Sequence, residues 1–429
     1  MLHSRDDGRG EVARLRCATP LDQLIGETKA TSEEAMTEDT SIVFESCDSD
    51  PVLATLLASA LQAQPKLIAR ARLLVEAESP SKDKSAVDRV VDVFADWCKA
   101  SACTVAIHSH REFGNSLEAT FGPNDTGQEP ILILGHLDTV WEQGTLSQMP
   151  WRQDEKTIWG PGALDMKVGA VMALSALEIL HHFDRLMTPV ILLLHGDEEV
   201  GSPVSRSLTE EVARRCQTVY VLEPGQGIGG AYKTARKGVG RYRLEVSGVA
   251  AHAGVDFDKG QSAVIELARQ VEYLSNLSDV ATGLTINVGV VGGGTQSNVV
   301  ADRAWADIDV RMKSMNEAES IDAKLKAINS FNARCKVHLT GGLNRPPMVR
   351  SSGTSELFNR ARRLALQMGL DPLEEAATGG GSDGSFTSAL GIPTLDGMGA
   401  VGGGAHAYDE HVLIKFIPER TALLAAMLL

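Results

Sequence analysis

Five short polar clusters carry the residues most able to do chemistry. They are Gly135-His136-Leu137-Asp138, Gly162-Ala163-Leu164-Asp165, Gly196-Asp197-Glu198-Glu199, Leu222-Glu223-Pro224 and Gly404-Ala405-His406. Taken singly, each reads as a solvated turn after a strand or within a glycine-rich loop. Together they would bring two imidazoles and several carboxylates to one edge of one sheet, a charge density that needs cations to balance it. Nitrogen and carboxylate donors without thiolate suit zinc, with cobalt or manganese as substitutes. One ion takes about three protein ligands. Five candidates remain after one Glu is reserved for proton transfer, so the set suits two cations sharing a carboxylate, with water activation as the chemistry.

The elements that must position these residues are legible from periodicity. Helical spacing runs through 52–63, 66–76 and 85–100, and strand-like stretches follow at 104–108 and 116–121. Buried strands are expected at 131–134, 190–195 and 218–222, with a helix at 166–182. Short apolar strands alternating with long helices predict an α/β fold with a mostly parallel sheet flanked by helices. Ligands of such sheets gather at the carboxyl ends of the strands. The texture changes near Lys237. Alternating strands at 241–247 and 305–312, a third at 285–291, and amphipathic helices at 261–275 and 318–335 have the order of an α+β, split-βαβ or ferredoxin-like unit. Helices at 356–368 and 418–428, with apolar pieces at 385–390 and 392–395 between them, resume the first pattern. The expected organisation is an acidic, disordered segment at 1–50, a large domain in two parts at 51–236 and 345–429, and an inserted domain at 237–344.

Composition narrows the partners. The 429 residues carry a net charge of −15, and residues 1–50 alone hold twelve acids against five bases. That balance argues against a nucleic-acid partner. No apolar run in the sequence approaches the ~20 residues of a membrane span. The opening MLHSRDDGRG lacks the apolar stretch of a secretory signal, so a cytoplasmic location is expected, with initiation near Met36 as an alternative start. Six scattered cysteines without a C-x-x-C pair are expected to be mostly buried thiols.

The motifs HLDTV, GPGALDMKVG, DEEVGS, EPG, AAHAG and GAHAYDEH, in that order, resemble the two-zinc aminoacylase/carboxypeptidase family of metallopeptidases. TGGGSDGS and the NRPP turn bring the glutamate carboxypeptidase branch, which removes C-terminal glutamate from folates and peptides, nearest. The resemblance spans about 51–429, inserted domain included, and is specific for family more than for substrate. It implies two zinc ions per subunit, one held by His136, Asp165 and Glu223, the other by Asp165, Glu199 and His406. It also implies a cis peptide at Asp165–Met166. Asp138 would fix the His136 tautomer, and Glu198 would be the general base that passes a water proton to the leaving amine.

On the substrate side the resemblance implies that His252, from the inserted domain, stabilises the oxyanion at a neighbouring subunit's site, hence a homodimer. Asn298, Arg311 and Arg345 would bind substrate carboxylates, and the run containing Gly380 would offer backbone amides to the α-carboxylate. The region of Tyr232-Lys233 departs from the glutamate-specific pattern, with Lys233 as the candidate replacement for the lysine found there. Substrates are expected to be small peptides or N-acyl amino acids. The same motifs fit an N-acyl amino-acid deacylase of the acetylornithine or succinyl-diaminopimelate type, and more remotely a non-catalytic amino-acid-binding protein.

Overall fold

The computed structural model describes residues 50–123 and 127–429. The acidic segment, apart from Asp50, lies outside these residues, as do Cys17 and Cys47. Six strands form the main sheet, in the order Thr104–His108, Gly114–Phe121, Val190–Gly196, Ile131–His136, Thr218–Val221 and Thr394–Leu395. The last four run parallel, and Gly114–Phe121 runs antiparallel to both its neighbours. Every residue of Ile131–His136 and Val190–Gly196 is buried, since helices cover both faces of the sheet. Burial of this kind contributes about 1.5–3 kcal/mol for each large aliphatic side chain. Parallel pairing sets His136 opposite His195, which aligns the ends of the two central strands and places their following turns side by side.

Helical spacing is interrupted at Pro65 in the sequence, yet the structure holds one helix, Pro51–Glu76, with Pro65 inside it. Packing against Val168–His182 and the C-terminal helix Phe416–Met427, through Leu53, Leu56, Leu67, Leu74 and Val75, outweighs the lost hydrogen bond. The same helix bears on the expectation from apolar runs. It is long and apolar enough to cross a membrane by composition, with a mean hydropathy of 1.3 and 22% of that window buried. The helix expected at 166–182 begins at Val168, after an irregular turn, Ala163–Lys167. Cys98, Cys216 and Cys335 are buried free thiols and Cys103 is a half-buried one.

A second, four-stranded antiparallel sheet runs Thr285–Gly293, Arg303–Met312, Gly238–Ser247 and Lys336–Arg345. Helices Ala263–Ser275 and Met315–Lys326 pack on one face, around Leu244, Leu267, Ile308, Val310 and Ile321. The second helix is shorter than its pattern suggested, because residues after Lys326 turn back to enter the last strand. Its start is a capping box in which Ser314 and Glu317 exchange side-chain and backbone hydrogen bonds. The whole is an α/β fold with an α+β unit between its two parts.

Candidate metal centre and active site

Asp138 is the hub on which the strand-end residues are assembled. It is fully buried and accepts from the Ser81 hydroxyl at 2.6 Å and from the backbone amides of Glu198 and Glu199, each at 3.2 Å. Its Oδ1 also lies 3.4 Å from Nδ1 of His136. With Nδ1 held by Asp138, whose carbonyl is 3.0 Å away, Nε2 of His136 faces the carboxylates. Burial would raise the Asp138 pKa, but the His136 contact and the Ser81 hydroxyl outweigh it and hold the carboxyl below its ordinary value.

Asp165 sits between the two imidazoles. Its Oδ1 is 3.3 Å from Nε2 of His136, and its Oδ2 is 3.5 Å from Nε2 of His406. Glu223 approaches His136 Nε2 at 3.8 Å, and Glu199 approaches His406 Nε2 at 3.3 Å. Ligand atoms around a tetrahedral zinc with bonds of 2.0–2.1 Å lie about 3.3–3.4 Å apart. The His136–Asp165, Asp165–His406 and Glu199–His406 spacings are close to this value, and the Glu223–His136 spacing is longer. Oε1 of Glu199 is buried with no hydrogen-bond partner, a further sign that this set is built for a cation. One ligand atom each from His136, Asp165 and Glu199 lies within 4.8 Å of the others, and so does one each from His136, Glu198 and Glu223. The peptide Asp165–Met166 is cis.

Without cations, protons take their place. Burial alone would depress the His136 pKa, yet hydrogen bonds to Asp138 and Asp165 hold it well above its ordinary value. Hydrogen bonds to Asp165 and Glu199 push His406 up to about 10. Burial raises Glu199 to about 7, against the pull of His406. His136, His406 and Glu199 must all lose protons to bind metal, so zinc affinity is expected to rise with pH across the neutral range. Calorimetric titration of the metal-free chain in buffers of different ionisation enthalpy should detect roughly two to three protons released per chain at pH 7. Binding without proton release would contradict these assignments.

Several partners of the cluster escaped the sequence reading. Glu410 is fully buried and accepts from the amides of Gly162, Leu164 and Asp165 at 2.9, 2.8 and 3.1 Å and from the Trp141 indole at 2.8 Å. It thereby clamps the turn that presents Asp165. Arg236 donates to the second oxygen of Glu223 at 3.2 Å, to Asp396, and to the carbonyls of Gly380 and Gly381. A buried Arg at the end of the strand Tyr232–Arg236 has no periodicity signal of its own; only the position of Glu410 within GAHAYDEH hinted at a role.

The substrate-side expectations fare differently. Arg345, expected to bind a substrate carboxylate, is 3% exposed and donates to Glu198 Oε1 at 2.7 Å and Asp383 at 2.9 Å. It occupies that position because its strand ends against the loop after Val190–Gly196, with Gly201 and Asn344 in contact. Burial lifts the Glu198 pKa well above its ordinary value although the Arg345 charge opposes the shift. Arg311 forms a bidentate pair with Asp309 at 2.7 and 2.9 Å and reaches the Gly379 carbonyl at 3.3 Å. Short strands Ala251–His252 and Val299–Val300 pair, bringing His252 and Asn298 together on an exposed corner, without hydrogen bonds to the carboxylate cluster. Lys233 is 6% exposed and lies near Glu223 and Asp396.

Residues 132–429 match the family model described as peptidase family M20/M25/M40. The chain belongs to that family. It is 29% identical over 312 residues to carboxypeptidase G2 of Pseudomonas sp. (strain RS-16), covering 71% of this chain and 74% of that protein. To succinyl-diaminopimelate desuccinylase of Paracoccus denitrificans (strain Pd 1222) it is 29% identical over 304 residues, covering 65% and 77%. The M20 family metallo-carboxypeptidase Sso-CP2 of Sulfolobus solfataricus superposes with a TM-score of 0.70 at 17% identity, over 84% of this chain and 98% of that one. That likeness establishes the shared fold. As an M20 metallopeptidase, the chain is a hydrolase, and its acidic, histidine-bearing sheet edge is the candidate metal centre.

Proposed function

We propose that the protein is a two-metal exopeptidase that hydrolyses the amide bond to a C-terminal amino acid, with glutamate as the leaving group. One observation carries the metal assignment: the Asp165 carboxylate presents one oxygen to each imidazole, at 3.3 and 3.5 Å. His136, Asp165 and Glu223 would hold one zinc ion and Asp165, Glu199 and His406 the second, cobalt or manganese being able to substitute. When bound, such ions polarise the scissile carbonyl and acidify a water.

The chain's own groups do the rest. Asp138 holds the His136 tautomer, and Glu410 and Arg236 hold Asp165 and Glu223. Glu198, next in sequence to Glu199 and almost fully buried, receives the water proton and returns it to the departing amine. Arg345 orients Glu198 and also meets substrate carboxylate, while Arg311 and the Gly379–Gly381 amides bind the C-terminal group. The carbonyls of that run are engaged by Arg311 and Arg236, which supports a loop with its amides turned outward. His252 and Asn298 act at the site of a second copy. A homodimer through the inserted unit is supported by the edge strand Thr285–Gly293, where Val290 and Val291 are 53% and 58% exposed. A cytoplasmic site of action completes this reading.

The equal identity to a desuccinylase favours a second reading, release of an acyl group from an N-acyl amino acid by the same chemistry. Incubating the zinc-loaded protein with a library of folyl- and peptidyl-glutamates and N-acetyl and N-succinyl amino acids, with products identified by mass spectrometry, separates the two. Free glutamate is the expected product. Rapid deacylation with no glutamate release at saturating zinc would overturn the first reading.

A further inference from the structure

Beside Glu199 lies a cavity of about 350 Å³. Its walls include Lys82, Thr139, Val140, Glu142, Glu199 and Arg241, and no aromatic side chain. Its position relative to Asp165 matters. Arg236 ties Glu223 to the carbonyls of Gly380 and Gly381, and Arg311 reaches Gly379, so the glycine run belongs to the Glu223 side of the cluster. The cavity opens on the opposite, Glu199 side. A substrate whose C-terminal carboxylate rests at the glycine run therefore extends its acyl group into the cavity.

The charges there are not neutralised by the chain. Lys82 is exposed and forms no ion pair among the described residues. Arg241 donates one N–H to the Val200 carbonyl at 2.8 Å and has no carboxylate within ion-pair distance. Asp309, on the neighbouring strand, is already taken by both donor arms of Arg311. Besides Glu199, Glu142 is the cavity's one carboxylate, so two cations face one free acid. Gly201 makes room for the guanidinium: its φ is +102°, and a Cβ there would lie 2.8 Å from the Arg241 nitrogen. An ammonium and a guanidinium seated on a glycine, both lining the same cavity, are suited to a carboxylate.

We infer that this cavity is an acyl-side subsite for a short aliphatic acyl group ending in a carboxylate, with Lys82 and Arg241 as its specificity-determining residues. The inference rests on the hydrolytic reading for the substrate's direction. It makes the preferred substrates anionic at both ends. An aryl acyl group finds no aromatic wall to stack on and leaves both cations without a partner.

Two measurements on the zinc-loaded full chain test it. Calorimetry compares succinate and glutarate with butyrate and valerate, which match them in length and lack the second carboxylate. The dicarboxylates are expected to bind about tenfold more tightly. Hydrolysis of N-succinyl, N-butyryl and N-benzoyl forms of one amino acid should show a kcat/KM ratio of similar size in favour of the succinyl compound. In Lys82→Glu combined with Arg241→Met, both ratios should fall to one or below. Lys82→Glu alone, at an exposed position, should lower them part of the way, which keeps the test open if the double variant does not fold. Equal binding by the wild type, preference for the benzoyl amide, or ratios that survive both variants would overturn the subsite. Selective dicarboxylate binding with no amide cleaved would overturn the hydrolytic reading and leave the subsite standing.

Discussion

Glu198→Gln is expected to lower hydrolysis by about 10³-fold, within the 10²–10⁴ that a positioned acid–base group contributes, while zinc stays near two per chain. Gln keeps an acceptor for Arg345, whose N–H lies 2.7 Å from the Glu198 carboxylate, so the local packing survives. The backbone amide of residue 198 still donates to Asp138, so the turn carrying Glu199 keeps its position. What Gln cannot do is take a proton. The effect should fall on kcat with little change in KM, because the lost interaction is made only as the reaction proceeds. Steady-state kinetics with parallel metal analysis checks it, and a variant that retains full activity would remove Glu198 from its role.

Asp165→Asn should be still more damaging, because one carboxylate serves both proposed ions. An amide offers one weak oxygen donor where the carboxylate offers two charged ones, 3.3 and 3.5 Å from the two imidazoles. Bound zinc measured after dialysis is expected to drop from about two per chain to below one, with activity lost in proportion or beyond it. His136 and His406 would also lose the acceptor that keeps them protonated, so His406 should titrate below the value of about 10 it has in the metal-free chain. Following its ring resonances by NMR across pH gives that readout without any activity measurement. Two tightly held zinc ions in the Asn variant would refute the shared-ligand arrangement.

These two residues also illustrate how far a single sequence can be read. Asp165 and Glu198 stand out as acids in glycine-bearing turns, and the resemblance of GPGALDMKVG and DEEVGS to family motifs is what implies their roles. Strand periodicity placed His136 and Glu223 at carboxyl ends, and the parallel register brings those ends together. Pro65 shows the opposite case, a local signal for interruption overridden by packing along the whole helix. For Arg345 the residue type suggests a substrate carboxylate, and its strand terminus also delivers it to Glu198 and Asp383.

The sequence by itself determined the α/β class, the inserted α+β unit and the residue types at the strand ends, because periodicity and burial are local properties of a chain. Only the tertiary structure decided which charges meet. Glu410 reaches the turn of Asp165 across 245 positions, Arg345 reaches Glu198 across 147, and Arg236, paired with Glu223, reaches Asp396 across 160. Such pairs depend on strand register and on which loops pack together, and a buried charge finds its partner in space rather than along the chain.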